Sequence, residues 1–172
     1  MNEPAYTAIV ELLERKKVRC FALTHDPCKT SEESEAARAK AGHPGVTGAK
    51  ALLTKLYFKD HEAFATIVLP GNHVLDKDRL IAAIPDLKKI RFATPEEMLT
   101  LAGVIPGCMP PFAAPIFPEI PLLIVAQALT SCETIGFNAA FLERSIILAA
   151  PDYFSAVTPA FVIDCSIPKT EQ

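Results

Sequence analysis

Apolar positions near the start of the chain follow first a helical and then an extended spacing. Residues 5–17 carry apolar side chains on one face and charged ones on the other, which predicts an amphipathic helix. The short apolar piece 18–23 then predicts a strand. Thr30 with Glu33 three residues later is a capping-box pattern, which predicts the start of a second helix.

The rest of the chain is dominated by short apolar runs bounded by turn residues. They predict strands over residues 51–58, 63–69, 88–92, 122–126, 134–137 and 145–148. Asp76 predicts the start of one helix, and Thr94 with Glu97 three residues later predicts the start of another, which Gly103 ends; residues 152–157 predict a last helical turn. Strands follow each other as well as helices, unlike a doubly wound fold. We therefore expect an α+β fold in which a mixed, largely antiparallel, curled or barrel-like sheet is flanked by helices.

Composition and charge narrow the class of protein. The 172 residues, half of them apolar, suit one domain (1–172) with a full core. The net charge of −3 lacks the basic excess of proteins that hold long nucleic acids by their phosphates, so any nucleic-acid contact should be local. Five cysteines without a C-x-x-C pair predict free thiols in a reducing cytoplasm.

A long stretch of the chain, residues 98–118, has no charged residue. Repeated glycines and prolines would break any helix there, so it cannot span a membrane. Its segment 103–112 predicts a stiff loop with exposed backbone N–H groups, suited to an ester carbonyl or a terminal sugar. The alternative is an irregular cover over the core.

Lys50 closes a glycine-bearing turn and comes directly before the predicted strand 51–58. A cation at such a junction can point into a cleft while the strand fixes its position, which suits binding of a phosphate or carbonyl oxygen. The competing interpretation is an ordinary solvated lysine.

Other candidates for chemistry are weaker. His25 precedes Asp26 and could be a general base or a turn cap. With Cys28 and Cys20 it could contribute to a metal site, but no second closely spaced pair completes one. Cys108 could be a nucleophile, although no local base accompanies it. The sequence also lacks a Walker loop, a G-x-G-x-x-G turn and an H-E-x-x-H motif.

Several segments between residues 5 and 157 occur in a characteristic order. They are His25-Asp26-Pro27, Lys50 before an apolar strand, 68–72 followed by Leu75-Asp76, a G-x-x-x-P loop from Gly107 to Pro111, and 145–152. Together they resemble the YbaK/prolyl-tRNA synthetase-associated editing-domain family of aminoacyl-tRNA deacylases.

The resemblance implies a barrel-like mixed sheet and hydrolysis of the ester between a wrong amino acid and tRNA. It implies that Lys50 contacts the acceptor end, that backbone at Gly107 to Pro111 surrounds the carbonyl and terminal adenosine, and that His25 shapes the pocket rim. It also implies that a ribose hydroxyl of the substrate assists the water, and that no metal or organic cofactor is needed.

The chain departs from the family pattern at residues 138–145. Ser145 aligns near an aspartate of some members, and Asn138 stands where others have a histidine. The amino acid removed is therefore left open. The leading hypothesis is a free-standing deacylase for mischarged tRNA, with tRNA for proline favoured. The alternative is a non-catalytic module that holds an aminoacyl or nucleotide end beside a synthetase.

Overall fold

The computed structural model describes residues 1–170. Five α-helices flank the sheets. Each of α2 and α4 begins with a reciprocal capping box, at Thr30 with Glu33 and at Thr94 with Glu97. Gly103 ends α4 in the left-handed conformation, as the sequence predicts. The helices are α1 Glu3–Arg15, α2 Ser31–Lys40, α3 Lys77–Ala83, α4 Pro95–Ala102 and α5 Ala150–Ala156.

Ten strands build a large mixed sheet and a small ribbon. They are β1 Cys20–Thr24, β2 Thr47–Phe58, β3 Glu62–Pro70, β4 His73–Leu75, β5 Leu87–Phe92, β6 Leu122–Ala126, β7 Thr134–Asn138, β8 Arg144–Ala149, β9 Phe161–Ile163 and β10 Ser166–Pro168. The large sheet runs β1-β8-β7-β2-β3-β6-β9, with β5 also paired to β2. Strands β4 and β10 form the ribbon.

Antiparallel pairing predominates in these sheets, and parallel pairing joins β2 to β7, β3 to β6 and β6 to β9. The predicted α+β class with a mixed, largely antiparallel sheet is confirmed. Over the described residues the path from β1 to β9 does not close, so the sheet is an open one and not a complete barrel.

The longest strand, β2, divides one of its edges between two partners. On that edge Thr47 and Gly48 pair with β7, and the end from Thr54 to Phe58 pairs with β5. The opposite edge pairs with β3 from Ala49 to Tyr57. Among the described residues no strand covers the divided edge between Gly48 and Thr54. The sheet therefore has a gap at the middle of its longest strand.

Alternate side chains of β2 enter two separate cores, as the two-residue period of a strand requires. Ala49 and Leu53 pack in the larger core with α1, β7 and β8, whereas Leu56 packs in the smaller core with α3 and β5. A strand buried on both faces holds its backbone firmly. It therefore fixes the position of any side chain that it presents at the gap.

The uncharged segment after α4 covers the larger core, and part of it also reaches a cleft. Cys108, Met109, Phe112 and Phe117 are all buried there. The segment therefore covers the core, and Pro106, Gly107 and Met109 also line the cleft. No helix within residues 1–170 is long and apolar enough to cross a membrane.

One predicted boundary is wrong in a way that matters for the site. Strand β2 begins at Thr47 and not at residue 51, so Lys50 lies within the strand and not at its junction with a loop. The glycine-bearing turn concealed this start, because Gly48 can continue a strand when its backbone bonds to a neighbour. The Gly48 carbonyl indeed accepts a hydrogen bond from the Gly71 N–H at 2.7 Å.

Candidate functional site

The gap in the sheet opens into a cleft of about 450 Å³, a size typical of small-ligand sites. Its polar side comes from the start of α2 and includes Thr30, Ser31 and Ser34. Its apolar side comes from Leu53, Met98, Met109 and Phe137. Such a cleft can accept an apolar group and polar groups of one ligand at the same time.

Lys50 projects from β2 at this gap and is half-buried. Its Nζ donates a hydrogen bond to the backbone carbonyl of His73 at 2.6 Å. Burial is the main cause that lowers the pKa of Lys50, and the nearby charge of Lys169 adds to it, while Glu32 acts in the opposite direction. Among residues 1–170, Lys50 forms no ion pair with a carboxylate. It is a fixed cation whose charge is not neutralised by a direct partner.

Gly107 reaches the same cleft from the uncharged loop. Its φ of +97° suits glycine, and a Cβ there would lie 3.0 Å from the Lys29 carbonyl oxygen and 3.1 Å from Leu142 Cδ2. The Gly107 carbonyl accepts a hydrogen bond from Asn138 Nδ2 at 3.0 Å. The loop is therefore held in a fixed position at the cleft.

Asn138 is a hub that ties the loop to the sheet and to α2. Besides Gly107, its Nδ2 donates to the Cys28 carbonyl at 3.2 Å. Its Oδ1 lies within hydrogen-bond distance of Ser34 Oγ, Arg38 Nη2 and Ser145 Oγ, at 3.3 to 3.4 Å. Asn138 is buried and also borders the cleft. One side chain thus links three elements of the site.

Three of the residues that the family resemblance brought forward lie outside the cleft lining. Ser145 is fully buried, and His25 lines a separate surface depression. Pro111 is buried, and its carbonyl accepts a hydrogen bond from the Tyr153 hydroxyl at 2.6 Å. Of the predicted site residues, Lys50 and Gly107 line the same cleft, and the other three do not.

His25 and Ser145 do contact each other. His25 Nδ1 lies 2.8 Å from the Asp26 carbonyl, which can only accept, so Nδ1 must carry a proton. In the neutral ring, Nε2 then accepts from the Ser145 hydroxyl, 2.8 Å away. Ser145 Oγ in turn lies 3.3 Å from Arg38 Nε, a donor. The histidine therefore orients the serine, and the serine supports Arg38 at the cleft.

The geometry of the described residues supports neither a cysteine nucleophile nor a metal site. Cys108 is fully buried, its thiol donates to the Ile105 carbonyl at 3.2 Å, and burial raises its pKa. A protonated buried thiol is a poor nucleophile. All five cysteines are free. Within residues 1–170 no group of three or more His, Cys, Asp or Glu side chains could hold a metal ion.

Arg38 is the site residue that the sequence did not reveal. It lies within α2, whose charged sequence looks like a solvated helix, yet it is only 2% exposed and borders the cleft. The signal lies far along the chain at Gly136, where a Cβ would come within 2.8 Å of Arg38 Nε. Only the fold brings these two residues together.

Comparison with known proteins agrees with this architecture. The family model described as "Aminoacyl-tRNA editing domain" matches residues 25–155. The chain is 27% identical over 154 residues to the multifunctional Ser/Thr-tRNA deacylase ProXp-y of Escherichia coli K12, covering 90% of this chain and 89% of that protein. The same identity and coverage hold for ProXp-y of Escherichia coli O157:H7.

Two solved structures share the fold. The crystal structure of hypothetical protein APE2540 has a TM-score of 0.74 at 19% identity, covering 92% of this chain and 99% of that one. A candidate trans-editing enzyme for prolyl tRNA synthetase has a TM-score of 0.69 at 16% identity, covering 95% and 98%.

The chain belongs to the aminoacyl-tRNA editing domain family, because the family model covers most of its length. The predicted family is therefore confirmed. So is the predicted class of enzyme, an aminoacyl-tRNA hydrolase that acts in translation fidelity.

Proposed function

We propose that this protein is a free-standing trans-editing deacylase. It hydrolyses the ester bond between a wrong amino acid and tRNA for proline. The observation that carries the proposal is the Lys50 cation, fixed at the gap of the sheet and facing the same cleft as the Gly107 loop. The name of the candidate trans-editing enzyme for prolyl tRNA synthetase supports the choice of tRNA.

The roles of the two cleft residues follow from their chemistry. Lys50 anchors the acceptor end by its positive charge, and the backbone at Gly107 holds the ester group. We assign the ester contact to the Gly107 end of the loop because Gly107 lines the cleft, whereas Pro111 lies outside the lining and has no backbone N–H to donate. His25 and Ser145 support the site from behind through Arg38.

The hydrolysis step needs no protein nucleophile. Water adds to the ester carbonyl carbon, assisted by the free ribose hydroxyl of the terminal adenosine. The bond from that carbon to the ribose oxygen then breaks, and a proton passes to the departing oxygen. The products are the free amino acid and tRNA with its terminal ribose restored. Orientation and charge stabilisation are what the protein supplies.

The partner of the protein in this proposal is the acceptor end of an aminoacyl-tRNA. Contact with few phosphates is compatible with a net charge of −3, because only the end of the tRNA enters the cleft. Association with an aminoacyl-tRNA synthetase and a location in the cytoplasm belong to the same proposal.

The deciding experiment is a deacylation panel with tRNA for proline charged with Ala, Cys, Ser, Thr or Pro. Ser and Thr come first, because the relative ProXp-y is named a Ser/Thr-tRNA deacylase. We expect release of at least one wrong amino acid well above the uncatalysed rate, with the prolyl ester spared. Binding of these tRNAs without release of any amino acid would contradict the proposal and favour the non-catalytic module.

A further inference from the structure

Arg38 is a buried cation that lacks a carboxylate partner. Its guanidinium has only long contacts to neutral groups, from Nε to Ser145 Oγ at 3.3 Å and from Nη2 to Asn138 Oδ1 at 3.4 Å. No ion pair involving Arg38 forms within the described residues. Burial lowers the pKa of Arg38 to about 10, which still leaves it charged at neutral pH. A buried charge without a counter-charge is costly in free energy. An anionic ligand bound beside Arg38 would offset this cost.

The guanidinium lies on the Lys50 side of the cleft. Arg38 Nη1 makes no hydrogen bond among the described residues and lies 3.8 Å from where a Cβ of Gly48 would stand. Gly48 and Lys50 are two positions apart on β2, so they share one face and stand about 7 Å apart. The absence of a side chain at Gly136 leaves the room that Arg38 occupies. Two cations thus flank one part of the cleft.

The remaining charges at the cleft do not neutralise this pair. Lys169 and Glu32 form an ion pair with each other at 2.7 Å. Glu35, the one carboxylate whose charge raises the pKa of Arg38, is exposed and does not contact it. Arg38 and Lys50 therefore concentrate positive charge in one cleft of a protein whose net charge is −3.

We propose that Arg38 is a further phosphate-binding residue of the cleft, acting beside Lys50. This inference rests on the proposed function, and the ligand is the phosphate of the terminal nucleotide of the acceptor end. A guanidinium presents donors in a planar fork that matches phosphate oxygens, and Lys50 adds a point charge. Ser145 and Asn138 hold Nε and Nη2, so that Nη1 is left to donate to the ligand.

The test measures binding of AMP, adenosine and inorganic phosphate to the full-length protein by isothermal titration. We expect AMP to bind roughly 10- to 100-fold more tightly than adenosine, as a charge-assisted contact predicts. Inorganic phosphate should compete with AMP. Arg38→Gln should lose most of the preference for AMP, Arg38→Lys should keep part of it, and Arg19→Gln, at an exposed arginine outside the cleft, should keep all of it.

Equal affinity of the unaltered protein for AMP and adenosine would overturn the proposal without recourse to any variant. So would a preference for AMP that survives in folded Arg38→Gln, with folding checked by thermal unfolding. These results are independent of the deacylation panel. Deacylation without a phosphate preference would remove only this site, whereas phosphate binding without deacylation would remove only the proposed function.

Discussion

The Lys50 ammonium donates a hydrogen bond of 2.6 Å to the backbone carbonyl of His73, the first residue of β4. This contact satisfies one of its three donors and leaves the others for a ligand. A carbonyl orients the ammonium without cancelling its charge. The contact therefore holds a cation ready for an anionic or polarised oxygen.

The environment of Lys50 predicts an unusual titration. Burial lowers the pKa of Lys50, while the hydrogen bond to Glu62 raises that of Lys55 on the same strand. We expect the Cε chemical shift of Lys50 in lysine-labelled protein to titrate at a lower pH than that of Lys55. Because folding lowers the pKa of Lys50, its contribution makes folding stability rise with pH between the folded and the unfolded pKa. The opposite order of the two lysine midpoints would contradict this environment.

Asn138 is expected to hold the Gly107 loop through its amide. Asn138→Ala removes the donors to Gly107 and Cys28 and leaves buried groups unpaired, which should cost about 2–3 kcal/mol of unfolding free energy. Misplacement of the loop should lower the deacylation rate roughly tenfold or more. Urea unfolding and single-turnover deacylation measure the two effects. The exposed Asn72→Ala serves as the control, and equal behaviour of both variants would refute the role of Asn138.

Gly107 and Gly45 form a matched pair for testing the loop. Both have positive φ, but a Cβ at Gly45 meets no atom within 4 Å, whereas one at Gly107 crowds Lys29 and Leu142. Gly45→Ala should cost about 1 kcal/mol of stability and leave deacylation unchanged. Gly107→Ala should cost about 2–4 kcal/mol and reduce deacylation. Denaturant unfolding and the deacylation assay compare the two, and a fully active Gly107→Ala would show that the loop is not part of the site.

Cys108 is predicted to be structural. Cys108→Ser keeps a donor for the Ile105 carbonyl, so the deacylation rate should stay within about threefold of the original. Loss of activity in a variant that is still folded by thermal unfolding would instead restore a thiol mechanism.

Local signals in the sequence predicted much of the fold. The capping boxes at Thr30 and Thr94 and the stop at Gly103 depend on neighbouring residues, and each appears as predicted. The parallel pairings of β6 with β3 and β9 depend on contacts between distant segments, and no local pattern encodes them. The short strands β4, β9 and β10 were missed because three residues give no usable period.

The sequence likewise predicted only some of the residues at the candidate site. Lys50 and Gly107 stand out in the sequence because each belongs to a motif with a glycine or proline nearby. Arg38 does not, since its burial depends on Gly136 and its support depends on Ser145 and Asn138. From the sequence alone, the many charged residues of α2 predict a solvent-exposed helix. The burial of Arg38 becomes evident only from its contacts with distant strands.

The role of Lys50 is tested most directly by Lys50→Ala in the deacylation assay with mischarged tRNA for proline. The control is Lys55→Ala. Lys55 lies on the same strand as Lys50 but forms an ion pair with Glu62. We predict that Lys50→Ala folds normally and loses at least about 100-fold in rate, as removal of a charge-stabilising donor does, while Lys55→Ala stays active. Undiminished deacylation by folded Lys50→Ala would contradict the account.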